Sequence, residues 1–430
     1  MRLVVCPTPS LKGILRLPSS KSYSIRSVLI AACGGQSIIS NLSHCKDVQQ
    51  ALKAARALRA KLSFSSDRKT LTICANRQLS QDTIKVHVGE SGTVLRFLLP
   101  LLALRESSSL VLGEGTLRFR PNRFLTQTLR AMGKEVRGKG FQETIPIRLT
   151  KGALRGGDVT IDGSLSSQFI SALLMACPLL EEDTRLRISG KTIVSRPYVC
   201  MTLEILKRAG IAISRRSDAL YFIKGRQVFK GLKCFTVPSD YGLAAFLLAA
   251  GALISARLIF KGSFDDTLVQ ADGQILKFLK QMGVKIEKTK QSLKIYGPYS
   301  LRGGSFSLKD CPDLVPIMAV LGLFAKGPVR LCNIAHARVK ESDRISDLHR
   351  ELVKVGAKIQ EKKDELIIFP QAVYRENVVL DPHHDHRLAM AFTVLGLKIG
   401  VTVKDMQCVA KSYPEFIEDV RTIGFKLQKG

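Results

Sequence analysis

One unit recurs along this 430-residue chain and limits what it can fold into: an amphipathic helix, a glycine, a strand, a charged turn and a second strand. It is clearest at Leu125–Met132 with Gly133 and Val136, at Leu203–Ala209 with Gly210 and Ile213, and at Leu276–Met282 with Gly283 and Ile286. It returns at Leu352–Val355 with Gly356 and Ile359 and, truncated, at Phe416–Ile423 with Gly424 and Leu427. A weaker first copy has Arg59 in the glycine slot, ahead of Ala60 and Leu62. The slots at 59, 133, 210, 283, 356 and 424 lie 74, 77, 73, 73 and 68 residues apart. Glycine suits the position just past a helix end, where the backbone turns left-handed into the next segment. The alternation that follows predicts a hairpin with one buried face. A stacked solenoid is one solution for repeats. Units of this size, mixing helices and strands, fit better as six α/β units in two globular halves.

Each unit carries a second, more apolar helix, predicted at 24–33, 94–104, 169–177, 243–254, 314–325 and 388–398. The leaders of these helices are Ser20–Ser22, Glu90–Thr93, Ser166–Gln168, Ser239–Gly242, Cys311–Asp313 and Asp385–Arg387. All contain capping-type residues, which the unpaired N–H groups of a helix start require. In the first, serines combine with Lys21 and Arg26, the makings of an anion cradle at a helix N-terminus. Residues 239–242 read as a cap and no more.

Composition narrows the function classes. Hydrophobic residues make up 45% of the chain, enough for large cores. The longest apolar run, Gly242–Ile254, is too short to span a bilayer, and Met1–Ser10 has no apolar stretch of secretory length. Ten scattered cysteines without a C-x-x-C pair read as reduced, small hydrophobic residues of a cytoplasmic protein. The formal charge of +30 admits nucleic acid, an anionic membrane surface or small anionic substrates as partners. There is no Trp and aromatics are 6%, the cations are spread along the chain, and no zinc-finger, RRM or KH signature occurs, so charge alone does not favour nucleic acid.

Four polar stretches look chemical. In Leu117–Pro121 the proline pushes Arg120 out of the helical region and is itself favoured at a first helical position, so Arg120 is expected at a helix mouth. In Arg338–Arg344 a helical run would put Lys340 and Arg344 on one face, mildly repulsive without an anion between them. Glu341 is placed there to exchange a proton or to pair locally. The run His383–Arg387 invites a metal, but its spacing does not suit a closed tetrahedral site and no cysteine is close in sequence; no metal is expected. Lys411 follows an apolar, strand-like segment and precedes the turn Ser412–Pro414.

Taken in order, these segments resemble the family of EPSP synthases, the 5-enolpyruvylshikimate-3-phosphate synthases of the shikimate pathway. The matching stretches are Leu17–Ser22, Gly89–Thr93, Leu117–Pro121, Asp162–Phe169, Ser195–Tyr198, Pro312–Asp313, Arg338–Arg344, Asp385–Met390 and Ala410–Pro414. The resemblance covers essentially the whole chain and implies an α/β (α+β) fold, a two-domain inside-out barrel of six β-α-β-α-β-β repeats, three per domain. The implied domains are residues 1–20 with 236–430 and an inserted 21–235, with crossings near Pro18–Lys21 and Phe235–Asp240 and the helix openings facing a shared cleft.

The implied reaction moves the enolpyruvyl group of phosphoenolpyruvate onto the 5-hydroxyl of shikimate 3-phosphate and releases phosphate, through a tetrahedral intermediate. Each phosphate carries about −1.5 to −2 charges near neutral pH, which accounts for local basic clusters though not for +30. Carried over position by position, Lys21, Ser22, Arg26, Ser166, Ser167, Gln168, Ser195, Tyr198, Asp313 and Lys340 hold shikimate 3-phosphate. Lys21, Gly92, Arg120, Gln168, Arg344, His386, Arg387 and Lys411 surround phosphoenolpyruvate. Asp313 is the implied general base, and Lys21 or Glu341 the proton donor to the methylene carbon. No cofactor, metal, nucleic acid or membrane enters, and a monomer is expected. The chain departs from the commonest family pattern at Ser19 (frequently Gly), at Glu90-Ser91 (Asn-Ala) and at Ser239–Gly242 (Gly-Asp-Ala-Ser-Ser). A sister family that uses UDP-N-acetylglucosamine carries a reactive cysteine in the loop matching 113–121; Gly113–Pro121 has none, which excludes it.

Overall fold

A computed structural model describes residues 1–75, 83–190 and 192–430. The chain forms two compact units: a split unit of Met1–Pro18 with Pro238–Gly430, and an inserted unit of Ser19–Val237.

The inserted unit holds helices α1 (Lys21–Ala31), α2 (Lys46–Ala57), α3 (Gly92–Ala103), α4 (Arg123–Ala131), α5 (Ser167–Ala176) and α6 (Arg196–Arg208). The split unit holds α7 (Tyr241–Leu253), α8 (Gln274–Gln281), α9 (Val315–Leu323), α10 (Arg344–Lys354), α11 (His386–Ile399) and α12 (Phe416–Thr422). The odd-numbered helices are the apolar ones and lie in the cores: every residue of α7 and of α9 is buried. The even-numbered helices show one face only; α4, for instance, buries Leu125, Thr126, Thr128 and Leu129. Truncating a core residue such as Leu247 to alanine would cost about 2–5 kcal/mol.

Among the described residues each unit has three four-stranded sheets of one topology. In the clearest, Gly157–Asp162 runs parallel to Thr184–Ser189, which pairs antiparallel with Leu220–Ile223, which pairs antiparallel with Ile213–Ser217. The parallel step needs a crossover, and α5 supplies it. Two sheets are completed out of chain order. In the inserted unit the last strand, Lys233–Thr236, runs parallel to Gln36–Ser40 of the first repeat. In the split unit β1 (Leu3–Val5) lies antiparallel between Val401–Val403 and Leu427–Lys429. Close by in sequence, β2 (Ser10–Arg16) runs parallel to Ser255–Lys261 over seven residue pairs.

The glycine slots behave as the repeat predicts: Gly133, Gly210, Gly283, Gly356 and Gly424 have φ between 84° and 108°. Arg59 adopts the same left-handed geometry at φ 67°, so the slot imposes its conformation even where the residue pays a steric cost of about 1–2 kcal/mol. The helix considered for 338–344 does not form, and other expectations are corrected. Residues 338–344 are not one helix: Ala335–Val339 is a 3₁₀ turn, Lys340–Asp343 is irregular, and α10 starts at Arg344 with Asp343 accepting from the Ile345 and Ser346 amides. Lys340 and Arg344 therefore share no helical face. Pro121 is not a first helical residue, since α4 begins at Arg123. The segment before Lys411 is a 3₁₀ helix, Met406–Lys411, not a strand. Cys74 and Cys234 lie in strands and are exposed.

Candidate active site

Five of the six apolar helices start under a side-chain cap: Ser20, Ser91, Ser166, Asp240 and Asp385 each accept a backbone N–H of the first turn. The sixth does not. The chain enters α9 through a 3₁₀ turn, Pro312–Leu314, with no side-chain cap, which leaves the Asp313 carboxylate for other work.

In the inserted unit, Lys21 opens α1 and its Nζ lies 3.1 Å from Asp47 Oδ2, with both side chains largely buried. Arg26, one turn on, is buried. It donates to Thr202 Oγ1 at 2.9 Å, to the Ser22 carbonyl at 3.0 Å and to the Tyr198 carbonyl at 3.1 Å. Its guanidinium lies 5.1 Å from the Phe97 ring centroid and 5.8 Å from that of Tyr198. Burial pushes the Arg26 pKa down to about 10, so the group is cationic at neutral pH. It braces α1 against α6, with Ser22 and Tyr198 as the held ends. Ser195, just before α6, is left-handed at φ 56°, and its buried hydroxyl has no hydrogen-bond partner among the described residues. Strain combined with an unsatisfied buried hydroxyl makes Ser195 a candidate for contact with a ligand.

Gln168 is held at both ends of its amide. Its carbonyl accepts from Arg96 Nη1 at 2.7 Å and its NH₂ donates to Thr93 Oγ1 at 2.9 Å. Arg96 in turn donates to Asn122 Oδ1 at 3.3 Å and to the Pro121 carbonyl at 3.0 Å, and packs over Phe169. Ser166 caps α5, and Ser167 is its buried first residue. Arg120 sits at a helix mouth, but that of α3 and not of the helix following Pro121. A Cβ on Gly92, the first residue of α3, would lie 2.5 Å from Arg120 Nη1. Glycine there is what lets the guanidinium reach the helix start.

In the split unit the site is ionic. Asp313 Oδ1 accepts from Arg344 Nη1 at 2.6 Å, and its Oδ2 lies 2.8 Å from Arg387 Nη2. Arg344, 1% exposed, also donates to Asp385 Oδ2 at 2.7 Å and to Glu341 Oε2 at 3.2 Å. Glu341 Oε1 lies 3.6 Å from Lys411 Nζ. Arg387 Nη1 donates to the Gly242 carbonyl at 3.3 Å, and its Nη2 is 3.8 Å from Asp272 Oδ2. The leader Ser239–Gly242 is thus more than the cap it reads as. A Cβ on Gly242 would fall 2.4 Å from Asp272 Oδ2 and 2.9 Å from Arg387 Nη1.

Burial alone would raise the Asp313 pKa, but Arg387, Arg344 and Lys340 outweigh it and hold the carboxyl well below the usual range. Burial opposes the Arg344 charge too, and Asp385, Asp313 and Glu341 overcome it and raise its pKa. His336 is buried beside this network with no hydrogen-bond partner for Nε2 among the described residues. Burial, then Lys340, pushes its pKa down to about 3, so it is a neutral imidazole among cations. His386 is buried with Nδ1 3.9 Å from Asp385 Oδ1. Among the described residues no three His, Cys, Asp or Glu side chains gather as metal ligands.

The family model of EPSP synthase (3-phosphoshikimate 1-carboxyvinyltransferase) matches residues 5–420. The chain belongs to the EPSP synthase family. A 3-phosphoshikimate 1-carboxyvinyltransferase of Methanococcus maripaludis is 36% identical over 434 residues, covering 99% of each chain. One of Methanocaldococcus jannaschii is 35% identical over 431 residues, again covering 99% of each. An EPSP synthase structure from Acinetobacter baumannii superposes with a TM-score of 0.79 at 24% identity, covering 99% of both chains. The enolpyruvyl transferase NikO of Streptomyces tendae gives 0.78 at 20% identity, covering 99% of this chain and 98% of that one. The fold is therefore that of the EPSP synthases and other enolpyruvyl transferases.

Several residues that build this EPSP synthase family site escape sequence reasoning. Arg96 had a signal: a lone cation inside the apolar run Val94–Leu99, one turn after Gly92. Asp385 was visible as a cap, yet its grip on Arg344, 41 residues away, was not. Asp47, Asp272 and His336 lie outside the quoted motifs, and nothing local distinguishes them.

Proposed function

We propose that this chain transfers the enolpyruvyl group of phosphoenolpyruvate to the 5-hydroxyl of shikimate 3-phosphate, releasing phosphate. The observation that carries the mechanism is Asp313, a carboxylate held ionised by Arg344 and Arg387. A base so tightly paired is weak. Phosphoenolpyruvate brings a phosphate and a carboxylate that compete for those guanidinium donors, and each contact transferred to the substrate returns basicity to Asp313. Asp313 then takes the proton of the attacking hydroxyl. The new C–O bond forms at C2 of phosphoenolpyruvate while the methylene carbon takes a proton from Glu341 or Lys21. The tetrahedral adduct collapses when a methyl proton leaves and the C–O bond to phosphate breaks. Arg344, Arg387, Lys411 and Arg120 stabilise the charge on that adduct as preorganised cations, with His386 and Gly92 lining the same substrate.

Shikimate 3-phosphate falls to Lys21, Ser22, Ser166, Ser167, Ser195, Tyr198, Gln168 and Lys340 in this reading, with Arg26 serving it chiefly by fixing Ser22 and Tyr198. An arriving phosphate competes with Asp47 for Lys21. The protein acts as a cytoplasmic monomer without nucleic acid or membrane; ten free thiols and dispersed cations support this. No helix of the described residues is long and apolar enough to cross a membrane. The test is phosphate release by the purified full chain. Release is expected only with both phosphoenolpyruvate and shikimate 3-phosphate present, and its absence with that pair across pH 6–9 would overturn the proposal.

A further inference from the structure

His383 and His384 are consecutive left-handed residues, with φ 49° and 60°. Residues with a β-carbon persist there only when their surroundings hold them. Each imidazole meets a carboxylate from a different element. His383 Nε2 lies 3.1 Å from Glu351 Oε1 and 3.8 Å from Asp347 Oδ1, both on α10. Its backbone N–H donates to Asp381 Oδ1 at 2.9 Å. His384 Nδ1 lies 2.5 Å from Asp405 Oδ2. Asp405 is itself left-handed at φ 47° and leads directly into the 3₁₀ helix Met406–Lys411.

The three elements tied together in this way carry three cations of the site. Arg344 is the first residue of α10, Arg387 the second of α11, and Lys411 the last of the 3₁₀ helix. Between the histidines and α11 stands Asp385, which accepts both the Arg344 guanidinium and the Arg387 amide. We infer that His383 and His384 form a clasp that sets the spacing of Arg344, Arg387 and Lys411 and so positions them for phosphoenolpyruvate. They are positioning residues with no contact of their own with the reacting atoms. What those cations bind rests on the function proposed above.

The two arms are unequal. Glu351 is 1% exposed, also accepts from the Asp381 amide and pairs with Lys354, while His383 is 28% exposed, so their contact is partly sheltered from water. His384 is 76% exposed, where water competes for the carboxylate and the contact is weak. His383 is the principal arm.

Asparagine is the replacement of choice, since it tolerates left-handed geometry but is too short to bridge. In phosphate-release kinetics His383→Asn is expected to raise the KM for phosphoenolpyruvate about tenfold, the order that a small displacement of positioned groups produces. The KM for shikimate 3-phosphate should move by less than about twofold, and His384→Asn should show a smaller change in the same sense. A merely structural role would lower kcat by reducing the folded fraction and leave the phosphoenolpyruvate KM unchanged, and that result overturns the clasp. If His383→Asn does not fold, Asp405→Asn decides from the other arm: a raised KM supports the clasp and an unchanged one overturns it. Lack of turnover in the unaltered chain would sink the functional proposal separately. Calorimetric titration with inorganic phosphate then reads the clasp: weaker binding by His383→Asn supports it, and equal binding overturns it.

Discussion

Arg26 and Arg96 in the inserted unit are held by hydroxyls, carbonyls, amides and ring faces, whereas Arg344 and Arg387 in the split unit are held by carboxylates. The same contrast runs through the composition. Residues 19–237 contain 35 Lys and Arg against 15 Asp and Glu, a net +20; the split unit has 31 against 21, a net +10. A cation braced by neutral groups keeps its field for an incoming anion. A cation paired with carboxylates gives less field but couples anion binding to proton affinity, because the arriving anion loosens a carboxylate. In the function proposed above, the inserted unit would hold a phosphate and the split unit would move a proton.

The largest effect expected from this contrast is at Asp313. Asp313→Asn keeps an acceptor oxygen for one arginine but turns an NH₂ donor toward the other, so it should melt somewhat lower, and the folded enzyme should lose about 10²–10⁴-fold in kcat. A loss below tenfold in phosphate release would remove Asp313 as the base and leave the split unit a binding surface only.

Stability separates the units next. Asp385→Asn strips the fully buried partner of Arg344 and should cost about 3–5 kcal/mol in urea unfolding. Arg96→Met removes a buried cation that has neutral partners and should cost about 1–3 kcal/mol. Equal losses would erase the distinction between ionic and neutral bracing.

The two glycines at helix mouths provide a finer comparison. Gly92→Ala should push the Arg120 head aside, raising the phosphoenolpyruvate KM about tenfold with little change in melting temperature. Gly242→Ala meets the Asp272 carboxylate as well as Arg387, so its KM change should come with a lower melting temperature. Melting curves that fall equally would show that Asp272 is not part of the brace.

The smallest effect is one of pH. His336 ordinarily titrates near 6.5, but burial and then Lys340 bring it to about 3 in the folded chain. Below about pH 6.5 the unfolded chain takes up a proton that the folded one refuses, so this group's contribution to stability is lost as pH falls from about 6.5 toward 3. His336→Asn should flatten the fall in melting temperature between pH 7 and 5; an unchanged slope would assign that fall to other groups.

Helix openings and repeat slots were legible in the sequence because capping residues, apolar runs and glycine punctuation are local signals. What stayed hidden was set by contacts far along the chain. Pro121 looked like a helix start, but its carbonyl is taken by Arg96 and α4 waits until Arg123. Gln168 could be named as a substrate residue, while its holder Arg96, 72 residues away, could not. The run Arg338–Arg344 reads as a charged turn ahead of a helix, and Asp343, a strong capping residue, stands one residue before the helix start. The absence of a cap at Asp313 was the reverse case: an acidic residue at a helix opening suggests capping, and only the 3₁₀ entry shows that its carboxylate points elsewhere.

The two N-terminal strands have a consequence for biosynthesis. β1 and β2 are made well before their neighbours Ser255–Lys261, Val401–Val403 and Leu427–Lys429. The described strands of the inserted unit lie within residues 36–236, so that unit can finish folding while synthesis continues. β2 can pair once residue 261 is made, but β1 must wait for residues 401–403 and 427–429. Closing so long a loop is slow, and the half that carries the proposed base is completed only once residues 427–429 are available. A ribosome that stalls before residue 427 would release a chain whose inserted half is complete and whose β1 still has an open edge, a ready target for aggregation or proteolysis.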